Sequence, residues 1–100
     1  MNENILVIED EPDIRKNLEY NLGREGFKVS SVGSLHDAFQ KINNNNFALI
    51  VLDLMLPDGS GLDFCKKVKG DIKTEVIPII ILTAKDDEVD KLLGLSLIHI

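Results

Sequence analysis

The chain has few of the features that mark secreted, membrane-spanning or nucleic-acid-binding proteins. It contains one cysteine, Cys65, in 100 residues, so no internal disulfide can form and a reducing compartment is indicated. The N-terminal stretch MNENILVIEDE has no basic leader, and no apolar run approaches the roughly 20 residues that a membrane span requires. The 11 basic residues are outnumbered by 17 acidic ones and are not clustered as a nucleic-acid surface needs. These absences predict a cytoplasmic protein that does not bind membranes or nucleic acid through this domain.

Short apolar runs alternate with segments of helical period along the chain. The length of 100 residues and the apolar content of 44% fit one domain with one core, and neither a composition shift nor an internal repeat divides it. Strand–helix alternation favours a parallel sheet with right-handed crossovers, so the predicted fold class is α/β. The predicted strands are 5–8, 27–32, 47–52 and 77–82. Between and after them, apolar residues at helical spacing form four stripes: Ile14, Leu18 and Leu22; Leu35, Ala38, Phe39 and Ile42; Leu62, Cys65 and Val68; and Val89, Leu92 and Leu93.

Helix start and stop residues agree with these boundaries. Pro12 suits a first helical turn, and Gly26 suits the exit of that helix. Ser34 suits the N-cap of the next helix, and the polar run 43–46 suits a loop.

The stretch FALIVLDLML, residues 47–56, contains one charge among nine apolar residues. That charge is Asp53, and it ends the third predicted strand. Glu9 and Asp10 follow the first strand directly, and Thr83 follows the fourth. In an open parallel sheet, ligands bind outside the carboxyl ends of the strands. In the flavodoxin-like order 2-1-3-4-5, we therefore expect Glu9, Asp10 and Asp53 to converge on one crevice.

Converging carboxylates repel one another unless a cation lies between them. Like charges a few ångströms apart raise each other's pKa. Mg²⁺ prefers oxygen ligands and typically uses one or two carboxylates together with a phosphate. Taken singly, Asp10 would more often be a cap or turn residue, Glu9 a solvated charge and Thr83 a strand-end hydroxyl. Their joint placement behind three apolar strands favours a magnesium site at which Asp53 reacts.

Three blocks of the sequence resemble the receiver domain of bacterial two-component response regulators. They are VIEDEPDIRKNLEYNL, LIVLDLMLPDGSGLDFCKKVK and VIPIIILTAKDDEVDKLLGL, and the resemblance runs from about Ile5 to Leu95. It carries an acidic pair after the first strand, a D-x-M-x-P-x-x-x-G segment and a hydroxyl followed by Ala after the fourth strand. The segments LEYNL and DLMLP resemble those of receivers that precede winged-helix DNA-binding domains. The resemblance therefore implies transcription control through an output domain.

The resemblance implies a role for each site residue. Asp53 would be the phosphoacceptor, taking a phosphoryl group from a histidine of a sensor kinase. Asp10 and Asp53 would ligate Mg²⁺ directly, together with the backbone carbonyl of Met55, and Glu9 would act through a metal-bound water. Thr83 would turn its hydroxyl toward the phosphoryl oxygens. The domain would be a signalling domain, not an enzyme, and it would assist its own phosphorylation and dephosphorylation. Its partner would be a sensor histidine kinase, and the formation of a homodimer is left open.

The chain departs from the family pattern after Leu95. The family continues with a fifth strand, a Lys-Pro step and a fifth helix, whereas here the sequence reads SLIHI, and no lysine follows Lys91. Neither Lys85 nor His99 matches a family position that could replace that lysine. We therefore expect an incomplete receiver over residues 1–95 and a non-matching tail at 96–100, which resembles translated sequencing-adaptor read-through. The strand at 77–82 would then become a sheet edge, with 97–100 adding at most a stub.

Three other functions are compatible with parts of the pattern. A phosphatase of the haloacid dehalogenase type also places a nucleophilic Asp after an apolar strand, but it needs a second Asp where this chain has Met55. A flavodoxin-like or dinucleotide module needs a glycine-rich or hydroxyl-rich phosphate loop, whereas EDEPD follows the first strand. A degenerate receiver that only binds proteins is favoured by the missing lysine and opposed by the intact acidic residues.

Overall fold

The computed structural model describes residues 3–53, 55–56, 59–84 and 95–99. The predicted alternation of strands and helices is confirmed, with strand bounds shifted by one or two residues. The fourth apolar stripe, Val89 to Leu93, lies outside the described residues. In chain order the elements are β1 Asn4–Ile8, α1 Pro12–Arg24, β2 Lys28–Val32, α2 Leu35–Asn44, β3 Leu49–Asp53, β4 Met55–Leu56, β5 Gly59–Ser60, α3 Gly61–Lys69, β6 Ile79–Ala84 and β7 Leu95–His99.

The main sheet has five strands in the order β2-β1-β3-β6-β7. The pairs β1–β2, β1–β3 and β3–β6 are parallel. Since β6 is the fourth strand that the sequence predicts, the α/β class and the flavodoxin-like order 2-1-3-4 are confirmed. The short strands β4 and β5 form a separate antiparallel pair.

The prediction of an exposed edge on the fourth strand is wrong. β7 pairs with β6 along five residues, from Ala84 opposite Leu95 to Ile80 opposite His99. The pairing is antiparallel, so β7 occupies the position of a fifth strand but does not run in the parallel direction. Unpaired N–H and C=O groups of an apolar interior strand are costly, and an antiparallel partner satisfies them as well as a parallel one does.

Alternating side chains of the central strands pack into two cores on opposite faces of the sheet. On β1, Leu6 and Ile8 face the larger core, while Ile5 and Val7 face the smaller one. β3 repeats the pattern, with Leu52 on the larger face. The larger core includes residues of α2 and α3, such as Leu35, Ala38, Phe64 and Val68, and the smaller core is covered by Leu18 and Leu22 of α1. Coverage of both faces explains why these strands read as continuous apolar runs.

The predicted helix starts at Pro12 and Ser34 and the exit at Gly26 are confirmed, whereas the predicted loop over 43–46 is wrong in part, because α2 continues through Asn44, whose side-chain amide donates to the carbonyl of Gln40 at 2.9 Å. α1 begins at Pro12, and the backbone after it turns at Gly26, whose φ is 96°. This φ lies in the left-handed region, where glycine avoids a Cβ clash. Ser34 caps α2, and its side-chain oxygen accepts a hydrogen bond from the N–H of Asp37 at 3.2 Å.

The lone cysteine is a buried helix residue. Cys65 lies in α3, and burial raises the pKa of its thiol, which disfavours the reactive thiolate. Among the described residues, no helix is long and apolar enough to cross a bilayer.

Candidate functional site

The candidate site lies where β1 and β3 end side by side. Ile8 is in register with Leu52, so the next residues, Glu9 and Asp53, reach the carboxyl ends of their strands at the same level. The backbone N–H of Glu9 still donates to Val32 O of β2 at 3.0 Å, which fixes the exit of the chain from the sheet. The parallel register therefore delivers acidic side chains from two strands to one place.

Glu9, Asp10 and Asp53 form a compact carboxylate cluster. One carboxylate oxygen from each lies within 4.8 Å of the others. The three differ in exposure, since Glu9 is 1% exposed, Asp53 is half-buried and Asp10 is exposed. The cluster is thus buried at Glu9 and open to solvent at Asp10.

Glu9 is the electrostatically perturbed member of the cluster. Its Oε2 accepts a hydrogen bond from the N–H of Glu11 at 3.0 Å, while its buried Oε1 has no hydrogen-bond partner among the described residues. The pKa of Glu9 is raised from 4.5 to about 7, chiefly by burial; the hydrogen bond from the Glu11 N–H opposes this rise, and the adjacent Asp53 and Asp10 contribute to it. Near neutral pH, the cluster therefore favours either an added proton or an added cation.

The donor set fits a hard divalent cation. All three groups are carboxylates, and the buried Oε1 of Glu9 lacks the donor that a buried acceptor normally has. Mg²⁺ uses few protein oxygens and retains waters, which suits a cluster that is open on one side. The residues present are therefore compatible with a magnesium ion.

The two remaining predicted site residues lie on neighbouring elements. Thr83 follows Leu82, the partner of Asp53 in the β3–β6 ladder, so its backbone lies at the same rim. Met55 begins β4, two residues after Asp53. The structure describes the backbones of Thr83 and Met55 but not their side chains. Of the residues weighed as lysine replacements, Lys85 lies outside the described residues, and His99 ends β7.

One contact of the site was missed by the sequence analysis. Arg15 of α1 donates from Nη1 to the backbone carbonyl of Glu9 at 2.8 Å. Arg15 stands in the first turns of the helix, and its own N–H donates to Glu11 O at 2.9 Å. A cation six residues after Glu9 gives no motif by itself, so only the bend of the chain between β1 and α1 reveals the contact.

Comparisons with known proteins agree with this geometry. The family described as the response regulator receiver domain matches residues 5–97. The alkaline phosphatase synthesis transcriptional regulatory protein PhoP of Bacillus subtilis is 43% identical over 97% of this chain and 40% of its own length. The transcriptional regulatory protein GltR of Pseudomonas aeruginosa is 40% identical over 93% of this chain and 38% of its own. The chain thus spans about two fifths of these curated relatives.

A solved structure gives the same result for the fold. The response regulator protein TrrA from Thermotoga maritima, in complex with Mg(2+)-BeF, is 33% identical, with a TM-score of 0.77. The match covers 84% of this chain and 71% of that one. The strand order, the acidic rim and the family match all agree, and the chain belongs to the response regulator receiver domain family.

Proposed function

We propose that this domain accepts a phosphoryl group on Asp53 from a phosphohistidine of a sensor kinase, with Mg²⁺ bound at the carboxylate cluster. Receiver domains of two-component response regulators are signalling domains that interact with sensor histidine kinases and bind Mg²⁺ at an acidic site. The observation that carries the proposal is the meeting of Glu9, Asp10 and Asp53 within 4.8 Å at the ends of two parallel strands.

The magnesium site would be built from β1 and β3. Asp10 and Asp53 would ligate the ion directly, the backbone carbonyl of Met55 would complete the protein ligands, and Glu9 would act through a bound water. The complex of TrrA with Mg(2+)-BeF supports this assignment by similarity. When bound, the ion neutralises the negative charge that builds up between Asp53 and the incoming phosphoryl group.

Asp53 then has the chemistry of a phosphoacceptor. A carboxylate oxygen of Asp53 forms a bond to phosphorus, the N–P bond of the phosphohistidine breaks, and its electron pair leaves on the imidazole nitrogen. Since Asp53 is half-buried beside an open side of the cluster, its carboxylate is held in place and still reachable. Thr83 would donate its hydroxyl hydrogen to a phosphoryl oxygen, which couples the new charge to β6.

The wider signalling role rests on the relatives. PhoP and GltR are named as transcriptional regulatory proteins, which supports a transcriptional output domain controlled by this receiver in the cytoplasm. We assign the receiver to residues 1–95 and a tail to 96–100, although the family match extends two residues into that tail, to residue 97. The receiver would not contact DNA itself.

Labelling by a small phosphodonor tests the proposed function. Wild-type protein treated with acetyl phosphate and Mg²⁺ should gain one phosphoryl group, and Asp53→Asn should gain none. Asp63→Asn is the matched control, because Asp63 is an exposed carboxylate in the first turn of α3 outside the cluster. Undiminished labelling of Asp53→Asn would refute the assignment. Absence of labelling in the wild type would favour a receiver that only binds proteins.

A further inference from the structure

The side chain of Arg15 links three elements at the rim of the sheet. From the first turns of α1, its guanidinium reaches back to the carbonyl of Glu9 at the end of β1, with Nη1 at 2.8 Å from that oxygen. Gly33, directly after β2, lies beside the same nitrogen. Arg15 is itself only partly exposed, so the contact lies at the boundary between the core and solvent.

The carbonyl that Arg15 binds belongs to the residue with the buried carboxylate. The N–H of Glu9 is bonded to Val32 O, and its Oε2 accepts from the N–H of Glu11. The Arg15 bond satisfies the carbonyl as well, so the peptide groups on both sides of Glu9 have fixed partners. This arrangement leaves little freedom for the Glu9 side chain to turn away from Asp10 and Asp53.

Gly33 is required here for space and not for its backbone conformation. A Cβ at position 33 would lie 3.0 Å from Arg15 Nη1 and 3.9 Å from the carbonyl oxygen of Glu9. The φ of Gly33 is not in the left-handed region, since among the described glycines only Gly26 and Gly59 have positive φ. A side chain at position 33 would therefore crowd the guanidinium and shift it by a few tenths of an ångström.

We propose that Arg15, held against Gly33, is a positioning residue for the Mg²⁺ site, acting through the backbone of Glu9. This inference rests on the proposed function and deepens it. Outer-shell partners that orient metal ligands typically change metal affinity by about 10-fold to 100-fold when removed. Arg15 would thus fix the β1–α1 connection in the metal-binding arrangement before the ion arrives.

Calorimetric titration with Mg²⁺ tests the proposal. Arg15→Met, which keeps an unbranched apolar stem without the donors, should weaken Mg²⁺ binding by about 10-fold. Lys16→Met is the control, because it removes the same charge from the next, exposed residue, and screening should limit its effect to within about two-fold. Equal Mg²⁺ affinity for the two variants would overturn the proposal.

Gly33→Ala tests the same contact by placing a Cβ against the guanidinium of Arg15. It should weaken Mg²⁺ binding about three-fold in the wild-type background and add nothing in the Arg15→Met background, because coupled residues are non-additive. Gly23→Ala is the matched control, since a Cβ at position 23 would meet no atom within 4 Å. Equal weakening by Gly33→Ala in both backgrounds would show that Gly33 acts without Arg15.

Amide hydrogen exchange in chelator separates this inference from the proposed function. The N–H of Glu11 is bonded to Glu9 Oε2 and should be protected in the wild type without Mg²⁺. Arg15→Met should speed exchange of this amide about 10-fold, whereas Lys16→Met should not. Unchanged exchange in Arg15→Met would contradict the positioning role. A wild type that fails to bind Mg²⁺ would instead refute the proposed function, and the exchange result would still decide the role of Arg15.

Discussion

Leu52 and Asp53 are adjacent on β3 but belong to two physically different regions. Leu52 is fully buried in the larger core, whereas Asp53 is half-buried in the carboxylate cluster. β1 repeats this change one strand away, from the buried Ile8 to the acidic Glu9. One residue along each strand separates side chains that stabilise the fold by burial from side chains that repel each other.

Along one strand, the residues that stabilise the fold are therefore different from the residues that form the candidate site. The interior residues gain free energy by leaving water, and the rim residues hold like charges together at a cost. Binding of a cation would offset this cost, so under the proposed function the rim would respond to Mg²⁺ and phosphate without rebuilding the core. Substitutions in the interior should therefore change the folding stability itself, whereas substitutions at the rim should change how stability depends on pH and Mg²⁺. The sizes of these effects should differ as well.

The largest effect on stability should come from the interior. Leu52→Ala should lower the free energy of unfolding by about 2–5 kcal/mol, because it leaves a cavity in a core that relaxes only partly. Leu62→Ala is the matched control, since Leu62 is 50% exposed on α3. Urea denaturation measures both variants. If Leu52→Ala is too unstable to study, Leu52→Met should cost less than about 1.5 kcal/mol. Equal losses for Leu52→Ala and Leu62→Ala would contradict the assigned core.

At the rim, in contrast, the ionised carboxylate of Glu9 should lower the stability of the folded chain in chelator at neutral to alkaline pH. Because the pKa of Glu9 is raised from 4.5 to about 7 in the folded chain, the folded state holds more protons than the unfolded state within that range. With respect to this group, stability should therefore be highest below pH 4.5 and fall as the pH rises through 7, by about 3 kcal/mol.

Glu9→Gln sharpens the pH prediction. The amide oxygen of Gln can still accept the hydrogen bond from the Glu11 N–H, but no proton is lost, so the fall in stability between pH 4.5 and 7 should be largely absent. Glu75→Gln, which changes an exposed glutamate, should retain the wild-type profile. Thermal denaturation across the pH range compares the variants, and a Glu9→Gln profile identical to that of the wild type would contradict the perturbed state of Glu9.

The smallest stability effect should be the one that Mg²⁺ produces. A ligand that binds only the folded chain stabilises it by about 1.4 kcal/mol at ten times its dissociation constant. Asp10→Asn should lose this increment because it removes a proposed direct ligand, and Asp63→Asn should retain it. Melting temperatures with Mg²⁺ and with chelator measure the increment. An equal Mg²⁺ shift in Asp10→Asn and the wild type would place the ion elsewhere.

The sequence predicted the elements that depend on local pattern and the rule for parallel sheets. Runs such as ILVI and LIVL identified the central strands, and the strand order brought Glu9 and Asp53 to one rim. Ser34 was identified as a cap because its side chain acts on the N–H three residues along. These features require only nearby residues or a general rule of sheet topology.

The remaining features depend on contacts between distant residues. The edge prediction failed because residues 95–99 form a full strand where at most a stub at 97–100 was expected. The direction of β7 is not encoded in its own residues either, since an apolar strand can satisfy a neighbour in either direction. The strands β4 and β5 are two residues each, too short to show periodicity. The contact from Arg15 to Glu9 depends on the path of the chain between β1 and α1, which no spacing rule defines.

The most direct test is the mass of the intact chain after treatment with acetyl phosphate, measured in parallel with Mg²⁺ and with chelator. Peptide mapping of the labelled chain then locates the modification. The account predicts a single phosphoryl group in Mg²⁺, located on the peptide that contains Asp53, and essentially none in chelator. The same extent of labelling without Mg²⁺, or a phosphoryl group on another residue, would contradict it.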